Sequence, residues 1–249
     1  MGLFPSSTVT GAFVTDPHAA WADVYDLAYE ESYGDFYNSL TETTVEQIKD
    51  IVESPARIVD FGAGTGRLAI PLASCGYDVL AVEPSVAMLS QMHKKPGGEA
   101  IPGFTGKMQD FQTDTQFDMT ICVFTVLIYL LDEESLKRSL KAAYVALRPG
   151  GYLLFDVPSR EIFNNFKCNT SLIEHNVIVE PCHDDIYSYE ENTTLTRGGD
   201  QTLYTDSFKI RYWSFDKVHQ FLTEVGFHSL DDLTVNFVGT GSRYFSVQK

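Results

Sequence analysis

The stretch RIVDFGAGTGRLAI, Arg57 to Ile70, constrains the chain more than any other. A short run with β-branched residues ends on Asp60 and Phe61. Glycine then falls at 62, 64 and 66, and a helical pattern follows. A strand that empties through alternate glycines into a helix leaves its backbone bare at the turn. Such a turn can take dihedrals that other residues resist, and it lets a ligand approach the main chain. The amides beyond it point outward from a helix start.

The rest of the chain builds on that unit. RIVDF, YDVLAVE, PGFTGKMQDF, FDMTICVF and YLLFDVP read as five strands. TGRLAIPLASCG, PSVAMLSQMHKK and DEESLKRSLKAAYVALRPGG read as the helices between them, the last stopping at Pro149-Gly150. FDMTICVF is apolar almost throughout, as a central parallel strand should be. Strands alternating with helices imply an α/β fold with a doubly wound, mostly parallel sheet. Before this core, residues 1–17 read as loosely ordered. A helical pattern runs from His18 to about Glu53, with Trp21, Tyr25, Ala28 and Tyr29 on one face and a break at Gly34. After it, residues 159–212 change character. SLIEHNVIVEP, DIYSYEENTTLTR and TLYTDSFKIRYW read as strands, with a tight turn at RGGD. SFDKVHQFLTEVGF is a helix capped by Ser214 and ended near Gly226, and SRYFSVQK closes as a strand. The division expected is 1–55, an N-terminal helical cap; 56–158, a ligand-binding core; 159–212, a β-rich insertion before the last helix; and 213–249, a helix and strand completing the core.

The chain of 249 residues carries 34 acidic against 18 basic residues, a formal charge of −16. Such a surface repels phosphate backbones, so no nucleic-acid partner is expected. No 18-residue apolar run is present, so no membrane span is expected. MGLFPSSTVTGAFVTDPHAAW lacks the basic and apolar regions of a secretory signal. Gly2 and Ser6 fit a myristoylation pattern formally, but Pro5 argues against it. The four cysteines form no C-x-x-C pair, so no metal site is expected. Cys75 and Cys122 read as buried thiols, and a reducing cytoplasm fits them.

Two details decide what the glycine turn holds. The dinucleotide fingerprint G-x-G-x-x-G would need glycine at 67, where Arg67 stands. Asp60 would face a pyrophosphate across a small loop, which is unfavourable. It suits a ligand with a cationic end. Glu83 ends the second strand, where a carboxylate accepts from ribose hydroxyls. Asp110, after the third strand, could accept from an adenine amino group, with Phe111 against the ring. A ligand with adenosine at one end and an ammonium at the other satisfies all three.

VDFGAGTGRLAIPLA, VEPS, QDF and LRPGGYLLFD, in this order, resemble the class I S-adenosylmethionine-dependent methyltransferases. The resemblance covers about Arg57 to Val157. It implies a seven-stranded Rossmann-like sheet, S-adenosylmethionine as cofactor and S-adenosylhomocysteine as product. It also implies cofactor contacts from Asp60, Gly62, Ala63, Gly64, Glu83, Pro84, Asp110, Phe111 and Phe124. CVFTVLIYLL, the N-terminal tyrosines and the β-rich insertion are similar to the amino-sugar N-methyltransferases and glycine N-methyltransferase-like enzymes. Val126 and Leu127 depart from the small polar residues amino-sugar enzymes favour there, so the acceptor stays open.

The function expected is in-line methyl transfer to a nitrogen or oxygen of a small molecule. Tyr129, His175 and His183 are the candidates for catalytic work. Tyr25, Tyr33, Tyr37 and Arg211 are the candidates for the acceptor pocket. Each has a plainer reading: the tyrosines as core packing, the histidines as packed or surface residues. A homodimer stays open. Two rival functions remain: a non-catalytic binder of S-adenosylhomocysteine or the cofactor, and an NAD-dependent oxidoreductase.

Overall fold

The computed structural model describes residues 16–249. Most of the 1–17 stretch, with its signal and acylation patterns, lies outside the described residues. The helical pattern expected from His18 begins later. Ala19–Trp21 forms a single 3-10 turn, and α1 spans Tyr25–Tyr33. Gly34, at φ 53°, breaks α1 from α2, Asp35–Ile51. A left-handed residue cannot continue a right-handed helix, and glycine takes that conformation without steric cost.

The core alternates as expected: β1 Arg57–Phe61, α3 Ala69–Ser74, β2 Asp78–Glu83, α4 Val86–Lys94, β3 Gly103–Thr105, β4 Phe117–Cys122, α5 Glu133–Ala146 and β5 Leu147–Pro158. The α5 helix ends at Ala146, and Pro149-Gly150 already belongs to β5. α3 is only six residues long, shorter than TGRLAIPLASCG suggests, because the glycine turn runs on to Leu68 before the helix starts. Cys75 lies one residue past α3 and is exposed, contrary to the sequence reading; Cys122 is buried.

The second set of strands is β6 Phe166–Asn169, β7 Ile173–His183, β8 Ile186–Arg197 and β9 Asp200–Arg211, an antiparallel sheet in sequential order. Gly198 and Gly199, at φ 61° and 93°, make the two-residue hairpin between β8 and β9. α6, Phe215–Val225, carries its Ser214 cap and ends on Gly226. β10, His228–Asp232, and β11, Ser242–Gln248, complete the main sheet. The seven strands run in the order β10-β11-β5-β4-β1-β2-β3. β11 is antiparallel to β5 and β10, and the others are parallel. β10, exposed along most of its length, has no clear apolar signature.

Both faces of the sheet are covered. Val59, Phe61 and Phe155 pack with Leu136 and Leu140 of α5 and Val218 and Leu222 of α6. Ile58 and Ile121 pack with Ile48 of α2, Leu72 of α3 and Met92 of α4. Burying one such aliphatic side chain is worth about 2 kcal/mol. α1 does not join either face. Trp21, Val24 and Ala28 instead pack on Ile173 and Leu195 of the second sheet. The N-terminal turn, α1 and β6–β9 therefore share a core of their own, above the carboxyl ends of the main strands.

Candidate active site

Order reverses between β1 and β4, and a doubly wound sheet opens toward its ligand there. A cavity of about 460 Å3 occupies that place. Its floor is the glycine turn. Gly62 N–H donates to Val82 O at 2.8 Å, and Gly64 N–H donates to Glu83 Oε2 at 3.0 Å. Glu83 Oε1 accepts from Ser85 N–H at 2.9 Å. Gly62 has φ 74°, and a Cβ there would lie 2.5 Å from Val126 Cγ2. Gly62→Ala is expected to lower the unfolding free energy by about 2 kcal/mol and cofactor affinity about tenfold. At Gly64 a Cβ would meet only Met88 Cε, at 3.5 Å, so Gly64→Ala should cost about half as much. Denaturant melts and calorimetric titration of both variants measure the difference.

Asp60 and Glu83 are 4% and 8% exposed. Burial, together with the neighbouring Glu83 carboxylate, pushes the Asp60 pKa up to about 8. Burial also raises that of Glu83 against the opposing N–H donors of Ser85 and Gly64. No lysine or arginine among the described residues pairs with either. Two adjacent, desolvated carboxylates with no lysine or arginine partner among the described residues form a site for a cation and for hydroxyl donors. Such a site has the chemistry expected for an aminoacyl sulfonium nucleoside, which carries a cationic end and ribose hydroxyls.

Above the floor, Arg67 lies between two rings, 3.8 Å from the Tyr37 centroid and 3.9 Å from that of Phe124. It also donates to Tyr37 O and Thr41 Oγ1, each at 2.8 Å. This side chain stands where a dinucleotide turn would need its third glycine. Asp26 of α1 is fastened to the same turn by Thr65 Oγ1 and by Lys95 Nζ, both at 2.6 Å. Phe124 and Thr125 are left-handed, at φ 62° and 70°. The buried Asp156 carboxylate holds them there, accepting from Thr125 N–H at 3.0 Å and from the Phe124 N–H. Non-glycine residues in this region carry strain that the surroundings must sustain.

Most of the expected residues meet in the cavity. Asp60, Gly62, Ala63, Gly64, Glu83 and Pro84 line its floor, and Phe124 its wall. Tyr25, Tyr37 and Tyr129 line the side beneath α1 and the second sheet. Six do not. Asp110 is exposed and turns to Arg138 of α5, 2.8 Å away. Phe111 is buried against Phe61 and Phe104. Met108 and Gln109 line the cavity in their place. Tyr33 stacks on Phe166, and Arg211 stacks on Trp213 while donating to Leu131 O behind the wall. His183 is exposed at the β7–β8 turn beside Asp184. His175 is 1% exposed and donates to Glu191 from Nε2 at 2.7 Å, away from the cavity.

The residue the sequence reading misses is His18. It lines the cavity, and its Nε2 lies 2.7 Å from the Tyr129 hydroxyl. Asp16, Ser207, Phe208 and Lys209 join it there. The histidine in DPHAAW carries no local signal. Its own φ of 65° breaks the helical pattern it sits in.

Residues 58–151 match the family described as a methyltransferase domain. A putative methyltransferase of Geobacillus sp. (strain WCH70) is 29% identical over 248 residues, 93% of this chain and 99% of that one. A glycine/sarcosine N-methyltransferase of Halorhodospira halochloris is 24% identical over 85% of this chain and 77% of its own length. Among solved structures, an S-adenosylmethionine-dependent methyltransferase from Clostridium acetobutylicum superposes with a TM-score of 0.77 at 17% identity, covering 91% of this chain and 98% of that one. A sugar N-methyltransferase from Streptoalloteichus sp. gives 0.76 at 20% identity, covering 100% and 98%. These two establish the fold. With the matched domain and the cation-seeking carboxylates beside the glycine turn, the chain is a class I S-adenosylmethionine-dependent methyltransferase.

Proposed function

We propose that this enzyme methylates a nitrogen or oxygen of a small molecule held beneath a cap whose described part is residues 16–55 and 159–212. Residues 56–158 and 213–249 serve as the cofactor-binding core. One observation carries the reading. The cavity runs from the Asp60–Glu83 floor to an end walled by His18, Tyr25, Tyr129 and Phe208, which come from the cap and from the turn after β4. An acceptor must reach that end from under the cap. The acidic surface disfavours nucleic acid, and no helix among the described residues is long and apolar enough to cross a membrane. The N-methyltransferases among the relatives favour nitrogen.

When bound, S-adenosylmethionine supplies a methyl group already activated on a sulfonium. The residues of this chain then have three tasks. Asp60 and Glu83 hold the cationic and ribose ends, while Gly62, Ala63, Gly64 and Pro84 shape the floor. Met108 and Gln109 flank the adenine side, the part first assigned to Asp110 and Phe111. Tyr25, Tyr37, Tyr129 and Phe124 exclude water and orient the acceptor. Alignment and desolvation of this kind provide most of the acceleration such a displacement needs.

Two measurements test the reading. Calorimetric titration should give micromolar binding of S-adenosylmethionine and S-adenosylhomocysteine and none of NADH. A panel of amines and hydroxylated metabolites, incubated with the cofactor and weighed by mass spectrometry, should give methylated products. Methylation of a protein or an RNA in preference to every panel member would overturn the small-molecule reading.

A further inference from the structure

His18 is held more firmly than a packing residue requires. Its backbone N–H donates to Asp206 Oδ2 at 2.6 Å. Its Nδ1 lies 3.2 Å from Glu191 Oε2, and its Nε2 lies 2.7 Å from Tyr129 Oη. Glu191, 1% exposed, is fixed in turn by His175 Nε2 at 2.7 Å, and His175 Nδ1 accepts from Ser32 Oγ at 2.9 Å. The imidazole also meets Trp21, Tyr25 and Phe208 edge-on, with centroids 5.2–5.6 Å away. Every element around it contributes a titratable group: Asp16 before it, Tyr25 of α1, Glu83 of β2, Tyr129 after β4, His175 of β7, Glu191 of β8 and Asp206 of β9. Lys209 lies at the cavity wall nearby.

We propose that Tyr129, His18 and Glu191 form a proton relay that takes the proton released by the methyl acceptor. The inference rests on the small-molecule reading above. The relay uses one of the two tautomers that these contacts allow. With the Glu191 carboxylate 3.2 Å from His18 Nδ1, the relay places the proton on Nδ1 and leaves Nε2 to accept from the Tyr129 hydroxyl. The Tyr129 oxygen then offers a lone pair to the cavity. In the reaction, the acceptor's nitrogen or oxygen forms its bond to the methyl carbon as the methyl–sulfur bond breaks, its electron pair staying on sulfur. The proton on the acceptor atom goes to Tyr129 Oη, and the Tyr129 proton goes to His18 Nε2. The resulting imidazolium is paired with Glu191.

The side chains are suited to these parts. Burial raises the Tyr129 pKa far above its ordinary value, so tyrosine passes a proton without ionising at rest. Burial opposes ionisation of Glu191, but the bonds from His175 and His18 outweigh it and hold its pKa below the usual carboxylate range. His175, expected from sequence as a base, acts here as a positioning residue through Glu191.

The test has two arms. In protein labelled with 15N in its histidine rings, the neutral form of His18 should carry its proton at Nδ1. Tyr129→Phe should shift the Nε2 signal, and Glu191→Gln should abolish the preference for Nδ1–H. A neutral ring protonated at Nε2 instead would overturn the relay, whether or not an acceptor is known. With a panel acceptor, Tyr129→Phe should lower kcat by about 100-fold or more while cofactor Kd changes less than about threefold. His18→Asn, chosen because asparagine tolerates the left-handed backbone, should remove the acid limb of the kcat–pH profile. An intact limb in that variant would also overturn the relay. Failure of the whole panel with a correct ring tautomer would sink the small-molecule reading instead.

Discussion

Asp60→Asn is expected to weaken S-adenosylmethionine and S-adenosylhomocysteine binding by on the order of 100-fold or more while making the free protein harder to melt. The two effects have one cause. Asp60 is nearly fully buried, faces Glu83 and has no basic partner among the described residues, so its pKa stands at about 8. An unfolded aspartate titrates near 4. A carboxyl group that holds its proton more tightly when folded stabilises the fold at low pH. That contribution disappears as pH rises from about 4 to about 8. At pH 8 the wild-type fold bears this charge and the asparagine variant does not, so the variant's Tm should be higher by several degrees. A cationic ligand reverses the preference, because it pairs with the ionised form. Binding should therefore release a proton below pH 8, and affinity should climb with pH toward that value. Above it the ligand's own α-ammonium begins to lose its proton. Calorimetry in two buffers of different ionisation enthalpy counts the protons, and thermal melts at pH 5 and pH 8 give the stability difference. A variant that melts lower at pH 8 while still binding would mean that Asp60 serves the fold alone.

Asp156→Ala should produce the largest loss of stability. The side chain is fully buried and receives the N–H groups of Phe124 and Thr125, with Ser242 as a further hydroxyl donor. Removing it strands two backbone donors in a turn whose two residues are already left-handed. An orphaned buried donor costs about 1–3 kcal/mol, so a total of about 3 kcal/mol is expected. For a chain of this size that is roughly 6–12 °C in Tm. Phe124 would also lose the backbone hold that keeps it over Arg67, so cofactor affinity should fall about tenfold. Asp156→Asn retains an acceptor oxygen and should recover much of the loss. Thermal melts and titrations of the two variants separate the hydrogen bonds from the shape.

What is legible in the sequence divides along a physical line. The glycine turn, Asp60 and Glu83 are readable because strand, turn and helix are consecutive in the chain, and a strand's last residue has only one place to be. The hairpin at Gly198-Gly199 is readable for the same reason. Asp110 is misread although its distance from the strand end is right. Its direction depends on Arg138, 28 residues on, which turns the carboxylate outward and leaves Met108 and Gln109 at the cavity. His175 is misread because Glu191, on the neighbouring strand, occupies the nitrogen a base would need. His18 is invisible because the groups that hold it, Asp206 and Glu191, come from the far end of the insertion; Asp206 is 188 residues away. No periodicity announces a residue whose conformation is dictated from so far along the chain.

The seam between cap and core bears on how such an enzyme could be rebuilt by recombination. The N-terminal turn and α1 share a core with β6–β9, so residues 16–33 and 166–211 would have to be exchanged together to install a different acceptor pocket. They meet the cofactor turn through few polar contacts. Asp26 meets Thr65 and Lys95, and the adjoining α2 meets Arg67 through Tyr37 and Thr41. A chimera that preserves these pairs keeps the turn braced from above. One that imports a cap without its own Asp26 leaves Lys95 without its carboxylate partner and Thr65 without its acceptor, and the turn would lose that brace before a new acceptor pocket could be tried.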